Sequence, residues 1–324
     1  MSRYLVTGAT GFLGVHLVRA LRDNGHDVVP FSRRDGGDIH NTMRVREASR
    51  GCEGVFHCAG RVSRSQRDAE EMYRLHVEGT KSLLDGCVAA GVRRVVVASS
   101  SGTVAVSELP GRVATEEDDA PIGLVGRWPY YRAKLFAERA ALARNGDALQ
   151  VVCVNPSLLL GPGDSRGSST QDVRLFLEGR IPVVPAGGLS FVDARDAAQA
   201  MYLAMKRGKP GERYLVGACN LTLADFFGRL ARISNVPAPW LPMPRSRQVV
   251  TFGASVVQRL ATRAGLAGLA MGIDPVAAEM AQCFWYLDSN KASRELGWTA
   301  RDPNETLFDT VQDLRARGVV WSEA

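Results

Sequence analysis

The chain has 324 residues, 45% of them hydrophobic and 23% charged. That is the make-up of a globular protein of one or two domains with a large core, and it excludes a disordered or fibrous chain. The net charge of +6 comes mostly from scattered arginines and not from a block, which argues against a nucleic-acid partner.

Tyr4-Leu5-Val6-Thr7 is a short apolar strand. It runs into Gly8-Ala9-Thr10-Gly11-Phe12-Leu13-Gly14 and then into a helical pattern through Leu17, Val18 and Leu21, which Asn24-Gly25 stops. Strand, glycine turn and helix in that order form the context of a dinucleotide-binding loop. Gly8 permits the tight turn, Gly11 lets the backbone approach a pyrophosphate, and Gly14 lets the helix pack close to the strand. Backbone N–H groups at the helix start then meet the phosphates. Gly8, Thr10, Gly11, Phe12 and Leu13 are therefore cofactor-binding candidates. The spacing is G-x-x-G-x-x-G.

The second strand covers residues 27–31. An acid near its end would hold the ribose 2′-hydroxyl of NAD; here Ser32 is followed by Arg33 and Arg34. A guanidinium suits a 2′-phosphate, so NADP(H) is expected, with Arg33 as its contact and NAD(H) as the alternative. Asp38 and Ile39 follow in a loop and are candidates to line the adenine. A third strand, residues 55–60, ends in Cys58, Ala59 and Gly60, small residues against which a flat cofactor can lie. His57 reads as a packed strand-end residue. Arg61, Arg64 and Arg67 recur at threefold spacing and read as one solvated face.

Residues 72–90 have the pattern of a long amphipathic helix. Residues 92–98 read as a strand that is fully apolar from Val95 to Ala98, which belongs in the middle of a parallel sheet. It ends in Ser99-Ser100-Ser101-Gly102-Thr103, at the carboxyl edge where open parallel sheets bind ligands. A serine there can donate a hydrogen bond to a substrate carbonyl; the same cluster also suits a turn or cap. Residues 116–119 are acidic and read as a solvated loop. Pro129-Tyr130-Tyr131-Arg132-Ala133-Lys134 then opens a segment of good helix formers. Tyr130 and Lys134, four residues apart, share a helix face. A phenol with its ordinary pKa of about 10 is a poor acid near neutrality. An adjacent cation lowers that pKa, and the hydroxyl can then exchange a proton with a carbonyl.

Residues 150–155 form another apolar strand, met by Pro156, and Leu158-Leu159-Leu160-Gly161 leaves the sheet. Alternating strands and helices predict right-handed β-α-β units: an α/β fold of Rossmann type, with a doubly wound parallel sheet. Further on come a strand and cap at 191–193, a helix at 196–205, a strand at 214–216, a helix at 223–233, an apolar stretch at 249–271, and the aromatics Phe284, Trp285 and Tyr286. They read as a smaller, mostly helical region that covers the cleft with apolar walls. The expected division is 1–160 for dinucleotide binding, with 189–217 returning to it, and 161–324 mainly for substrate, interleaved with the first part.

The six cysteines show no C-x-x-C pair and no metal-ligand spacing. They read as reduced core thiols of a cytoplasmic protein, and no metal is expected. Strand character from Arg3 leaves no room for a signal peptide. No apolar run of about 18 residues predicts an integral membrane segment.

Together Gly8-x-x-Gly11-x-x-Gly14, Ser100 and Tyr130-x-x-x-Lys134 resemble the short-chain dehydrogenase/reductase superfamily. The chain is most similar to its extended branch, the NAD-dependent epimerase/dehydratase type, and within it to dihydroflavonol reductase-like members. Landmarks along most of the chain carry the resemblance: Val77-Glu78-Gly79-Thr80, Asn155-Pro156-Ser157, Phe191-Val192-Asp193-Ala194-Arg195-Asp196, and Glu295-Leu296-Gly297-Trp298. The resemblance implies that Tyr130 is the general acid in reduction, and that Lys134 holds the nicotinamide ribose and lowers the Tyr130 pKa. It implies that Ser100, or Ser101 in the other registry, polarises the carbonyl, and that Pro156 and Leu159 lie near the nicotinamide. It further implies a hydrophobic small-molecule ketone or aldehyde as substrate, with the reverse alcohol oxidation as the same chemistry, and a homodimer as the usual assembly. A sugar-nucleotide epimerase or dehydratase with tightly bound NAD is the alternative enzyme, and a dinucleotide sensor without catalysis the alternative of another class. Two positions depart from the pattern. His76 stands where the family usually has asparagine, and Gly187-Gly188-Leu189-Ser190 stands where sugar-nucleotide epimerases often carry basic residues.

Overall fold

The structure is a computed structural model and describes residues 1–181, 183–243 and 275–320, together with Arg263. Apart from Arg263, the apolar stretch read at 249–271 lies outside the described residues. In chain order the strands are β1 (Arg3–Thr7), β2 (Asp27–Phe31), β3 (Gly54–His57), β4 (Arg94–Ala98), β5 (Gln150–Pro156), β6 (Leu158–Leu160), β7 (Val183–Val184), β8 (Gly188–Asp193), β9 (Arg213–Val216), β10 (Cys219–Thr222) and β11 (Leu241–Pro242). The helices are α1 (Phe12–Asp23), α2 (Thr42–Ser49), α3 (Ala69–Tyr73), α4 (Gly79–Ala89), α5 (Ile122–Val125), α6 (Pro129–Leu142), α7 (Gln171–Leu177), α8 (Ala194–Arg207), α9 (Leu223–Ser234), α10 (Pro275–Met280) and α11 (Pro303–Ala316).

Six strands form the main sheet in the order β2-β1-β3-β4-β5-β9, every neighbour parallel. Successive strand residues point to opposite faces, and both faces are apolar. Tyr4, Val6, Phe56, Val96 and Val152 pack under α1 and α8 on one side. Leu5, Val55, Val95, Val97 and Val151 pack under α2, α4 and α6 on the other. Because all strands run the same way, the residues that follow β1, β2, β3, β4 and β5 gather along one edge.

The chain leaves that edge at Ser157 and enters a second sheet, ordered β10-β8-β6, with β6 parallel and β10 antiparallel to β8. A separate core of Leu160, Phe176, Phe191, Phe226, Leu230 and Leu307 joins it to α7, α9 and α11. Within 189–217, α8 and β9 lie on the main sheet, whereas β8 pairs in the second one. The smaller region therefore combines sheets with its helices.

The helix read at 72–90 is interrupted. Between α3 and α4 lies a π turn, Arg74–Glu78, and the chain keeps its direction through it. Two side chains hold this turn: His76 Nε2–H donates to the Arg61 carbonyl at 2.8 Å, and Thr80 Oγ1 bonds back to the His76 carbonyl. Such bulges occur often beside functional sites.

Candidate active site

Gly8 sits in the left-handed region at φ +66°. Its N–H donates to the Phe31 carbonyl and its carbonyl accepts from the Gly11 N–H, which folds the loop between β1 and α1 and ties it to the end of β2. A Cβ at Gly8 would lie 2.6 Å from the Ala59 backbone N, so the loop and the end of β3 touch through bare backbone. Gly11 is the N-cap of α1 in an extended conformation. No side chain caps this helix, and its first turn holds no acid. The N-terminal N–H groups and the positive end of the helix dipole are thus left for an anion. These features fit the pyrophosphate of a dinucleotide.

Arg33 and Arg34 are exposed in a short 3-10 turn at the end of β2. Asp38 is exposed and accepts from the His40 N–H at 3.0 Å. The Ile39 side chain is buried in the core and lies against Gly79. Cys58 and Ala59 follow β3 half-buried, with Gly60 exposed. Pro156 is buried at the end of β5, and Leu159 is half-buried in β6. His57 is packed as read. Its ring lies between Thr7 Oγ1 at 2.8 Å and Thr80 Oγ1 at 3.0 Å, and burial lowers its pKa to about 3.

Tyr130 and Lys134 stand one turn apart on α6, which Pro129 opens at its first position. The run after β4 resolves by direction. The Ser100 hydroxyl acts on the Tyr130 phenol, opposing the rise of its pKa, and accepts from the Gly102 N–H at 3.3 Å. Ser101 is 5% exposed, and Ser99 bonds to Glu138. Lys134 Nζ donates to the Ala98 carbonyl at 2.8 Å. Among the described residues no group of His, Cys, Asp and Glu side chains could hold a metal ion, and no helix is long and apolar enough to cross a membrane.

Residues 4–217 match the NAD dependent epimerase/dehydratase family. The chain belongs to that family, in the extended branch of the short-chain dehydrogenases/reductases. Members are NAD(P)-dependent oxidoreductases and epimerases. The chain is 33% identical to a Synechocystis protein named "Putative dihydroflavonol 4-reductase", over 99% of this chain and 96% of that one. The crystal structure of gox2253 superposes with a TM-score of 0.82 at 27% identity, covering 99% of this chain and all of that one. MoeE5, solved with UDP-glucose and NAD, gives a TM-score of 0.70 at 26% identity, covering 97% of this chain and 99% of that one.

Against the family pattern, one expectation changes. Lys134 was expected to bring the Tyr130 phenol down, but burial pushes that phenol above its ordinary value. The neighbouring Tyr131 adds to the rise and the nearby Ser100 hydroxyl opposes it. An anion in so apolar a place is disfavoured, and the Lys134 ammonium is directed to Ala98. Burial likewise lowers Lys134 itself, to about 8. His76, in the family's asparagine position, is buried, meets the Tyr130 ring edge-on at 5.7 Å, and is held neutral with a pKa of about 3.

Trp285 lies tilted against Tyr131 with ring centroids 4.9 Å apart and against Trp128 at 5.3 Å, so one member of the late aromatic cluster walls the region beside Tyr130. Several other side chains have partners that spacing did not assign. Arg61 and Arg64 do not form one solvated face. Arg61 pairs with Glu71 and Asp68, and Arg64 with Asp172 on α7. The acidic loop is also not simply solvated, because Arg213 binds the carbonyls of Glu116 and Asp118. Glu138 bonds to Ser99, Thr103, Asn155 and Arg213. Its one signal in the sequence is spacing, since Tyr130, Lys134 and Glu138 recur at intervals of four.

Proposed function

We propose that the protein is an NADP(H)-dependent reductase of a ketone or aldehyde on a hydrophobic small molecule, with Tyr130 as proton donor. The meeting of Tyr130 and Lys134, one turn apart on α6, with the Ser100 turn after β4 carries this reading. It brings two hydroxyls together beside the carboxyl edge of the sheet, where a carbonyl oxygen can accept from both. The glycine loop and the uncapped end of α1 would hold the pyrophosphate, and Arg33 a 2′-phosphate. The dinucleotide, when bound, supplies the hydride. The chain's own residues supply the rest: Ser100 polarises the carbonyl, and Tyr130 delivers a proton as negative charge develops on its oxygen. Burial keeps the Tyr130 phenol protonated, which is the form that reduction needs. Lys134 places a cation one turn behind it, to hold the nicotinamide ribose. Tyr131 and Trp285 give an apolar wall, and the name of the Synechocystis relative agrees with such a substrate.

A sugar-nucleotide epimerase or dehydratase is the second reading, favoured by the likeness to MoeE5 with its UDP-glucose and NAD. Against it stands the run Gly187-Gly188-Leu189-Ser190, which has no basic residue where sugar-nucleotide epimerases often carry one.

The test is a panel of hydrophobic ketones and aldehydes with NADPH and NADH, followed at 340 nm, together with Tyr130→Phe. Removal of a general acid costs roughly 10²–10⁴ in turnover, while NADPH affinity stays within a few-fold. Undiminished turnover by Tyr130→Phe would refute the assignment. Conversion of a UDP-sugar without added cofactor would establish the second reading.

A further inference from the structure

Behind the faces of Tyr130 and Lys134, α6 carries a third ionisable side chain in the same register. Glu138 is 2% exposed. A carboxylate so deeply buried is strongly disfavoured unless donors and a counter-charge surround it, and here they do. Oε2 accepts from Ser99 Oγ, from Asn155 Nδ2 at 2.5 Å and from Thr103 Oγ1 at 3.3 Å. Oε1 pairs with Arg213 Nη1 at 3.2 Å. One carboxylate thus joins α6 to the turn after β4, to β5 and to β9. Two of its partners, Ser99 and Thr103, bracket Ser100. A third, Asn155, also donates to the Ser100 carbonyl at 3.1 Å.

Glu138 also shares space with Lys134. Both line a small cavity of about 10 Å³, together with His57, His76, Thr80 and Ser99. That is close to the ~10–15 Å³ that one water needs. The titratable groups facing Lys134 are Tyr130 and Glu138 on its own helix, His57 and Cys58 at the end of β3, His76 in the π turn, and Cys153 in β5. Both histidines are held neutral by burial, with pKa values of about 3. Burial also pushes the Cys58 thiol up to about 12 and Cys153 well above its ordinary value, so neither thiol is charged where the lysine titrates. Among these groups Glu138 remains as the anion that opposes the loss of the Lys134 proton.

We propose that Glu138 is a positioning residue for the reaction: it keeps Lys134 cationic and locks the Ser100 turn to the helix that bears Tyr130. This rests on the reductase reading above. A carboxylate that merely staples the fold would affect turnover equally at every pH. One that sets the charge of Lys134 would move the pH at which turnover fails.

The experiment records kcat/KM for the NADPH-dependent reaction against pH with the full-length enzyme, its Glu138→Gln variant and its Glu138→Asp variant. The ammonium is the working form, so the wild-type rate falls as pH rises through the Lys134 pKa. Without the Glu138 charge the cation is less favoured. The falling limb of E138Q therefore moves to lower pH by about one unit or more, the low end of the ~1–3 units that an opposite charge gives a neighbour. E138D keeps the charge but not the reach; its limb stays in place and its rate drops. An E138Q limb at the wild-type midpoint, or an E138D limb displaced like that expected of E138Q, overturns the proposal. Should E138Q not fold, the E138D limb decides. Loss of the parent reading shows separately, as undiminished turnover in Tyr130→Phe. An active wild type, an inactive Tyr130→Phe and an unmoved E138Q limb overturn the role of Glu138 alone.

Discussion

Replacing Gly14 by alanine tests the claim that bare backbone sets the dinucleotide loop. A Cβ at Gly14 would lie 2.1 Å from the Gly8 carbonyl oxygen, 2.9 Å from the Gly8 carbonyl carbon and 3.0 Å from the Ala9 Cα. All three are backbone atoms, so no side chain can swing away. A carbon–oxygen contact settles near ~3.3 Å, which means that α1 and the loop must separate by roughly 1 Å. That displacement is resisted by Leu13, Leu17 and Leu21, which are buried in the core shared with α8. Overpacking of this kind costs about 1–3 kcal/mol, offset in part by the ~0.5–1 kcal/mol that alanine gains over glycine within a helix. The net expectation is a destabilisation of about 1–2 kcal/mol, read as a fall in Tm of ~2–4 °C per kcal/mol or somewhat less in a chain of this size. Affinity should suffer more than stability. Shifting the first N–H groups of α1 away from the phosphates forfeits at least one charge-assisted hydrogen bond of about 1.5–3 kcal/mol, tenfold or more in Kd. Titration calorimetry with NADPH and a melting curve measure both quantities. Gly123→Ala is the control, since a Cβ there meets nothing within 4 Å; it should leave both unchanged or raise Tm slightly. Wild-type affinity and Tm in Gly14→Ala would refute the reasoning.

Two further outcomes are expected. Arg33→Ser should weaken NADPH by about tenfold or more, the worth of one charge-assisted hydrogen bond, and leave NADH unchanged; equal effects on both cofactors in a binding titration would rule out the 2′-phosphate contact. His57 and His76 have pKa values of about 3 in the fold and titrate near ~6.5 when unfolded. Their contribution to stability is therefore complete above pH 6.5 or so and is lost as the pH falls toward 3. Near pH 5 the two together contribute a slope of about 2.7 kcal/mol per pH unit. His76→Asn should remove about half of that slope in urea unfolding between pH 7 and pH 5, and an unchanged slope would show that His76 is not held neutral.

Much of this molecule is local, and what is local could be read from the chain. The alternation of apolar strands and periodic helices in the first 160 residues, the glycine spacing after β1 and the shared face of Tyr130 and Lys134 each depend on neighbours within one turn or one strand. Backbone geometry alone translates those patterns into a parallel sheet with its binding edge. Direction and partnership do not follow from spacing. Three successive serines after β4 look alike in the sequence, yet Ser99 turns to Glu138, Ser100 to Tyr130, and Ser101 into the interior. Likewise, Glu138 meets Ser99 across 39 residues and Arg213 across 75. A buried carboxylate is tolerable only where chain segments that distant converge to satisfy it. The tertiary structure therefore decided which of the candidate side chains face the cleft and which stand behind it, because burial and charge depend on what the folded chain brings near.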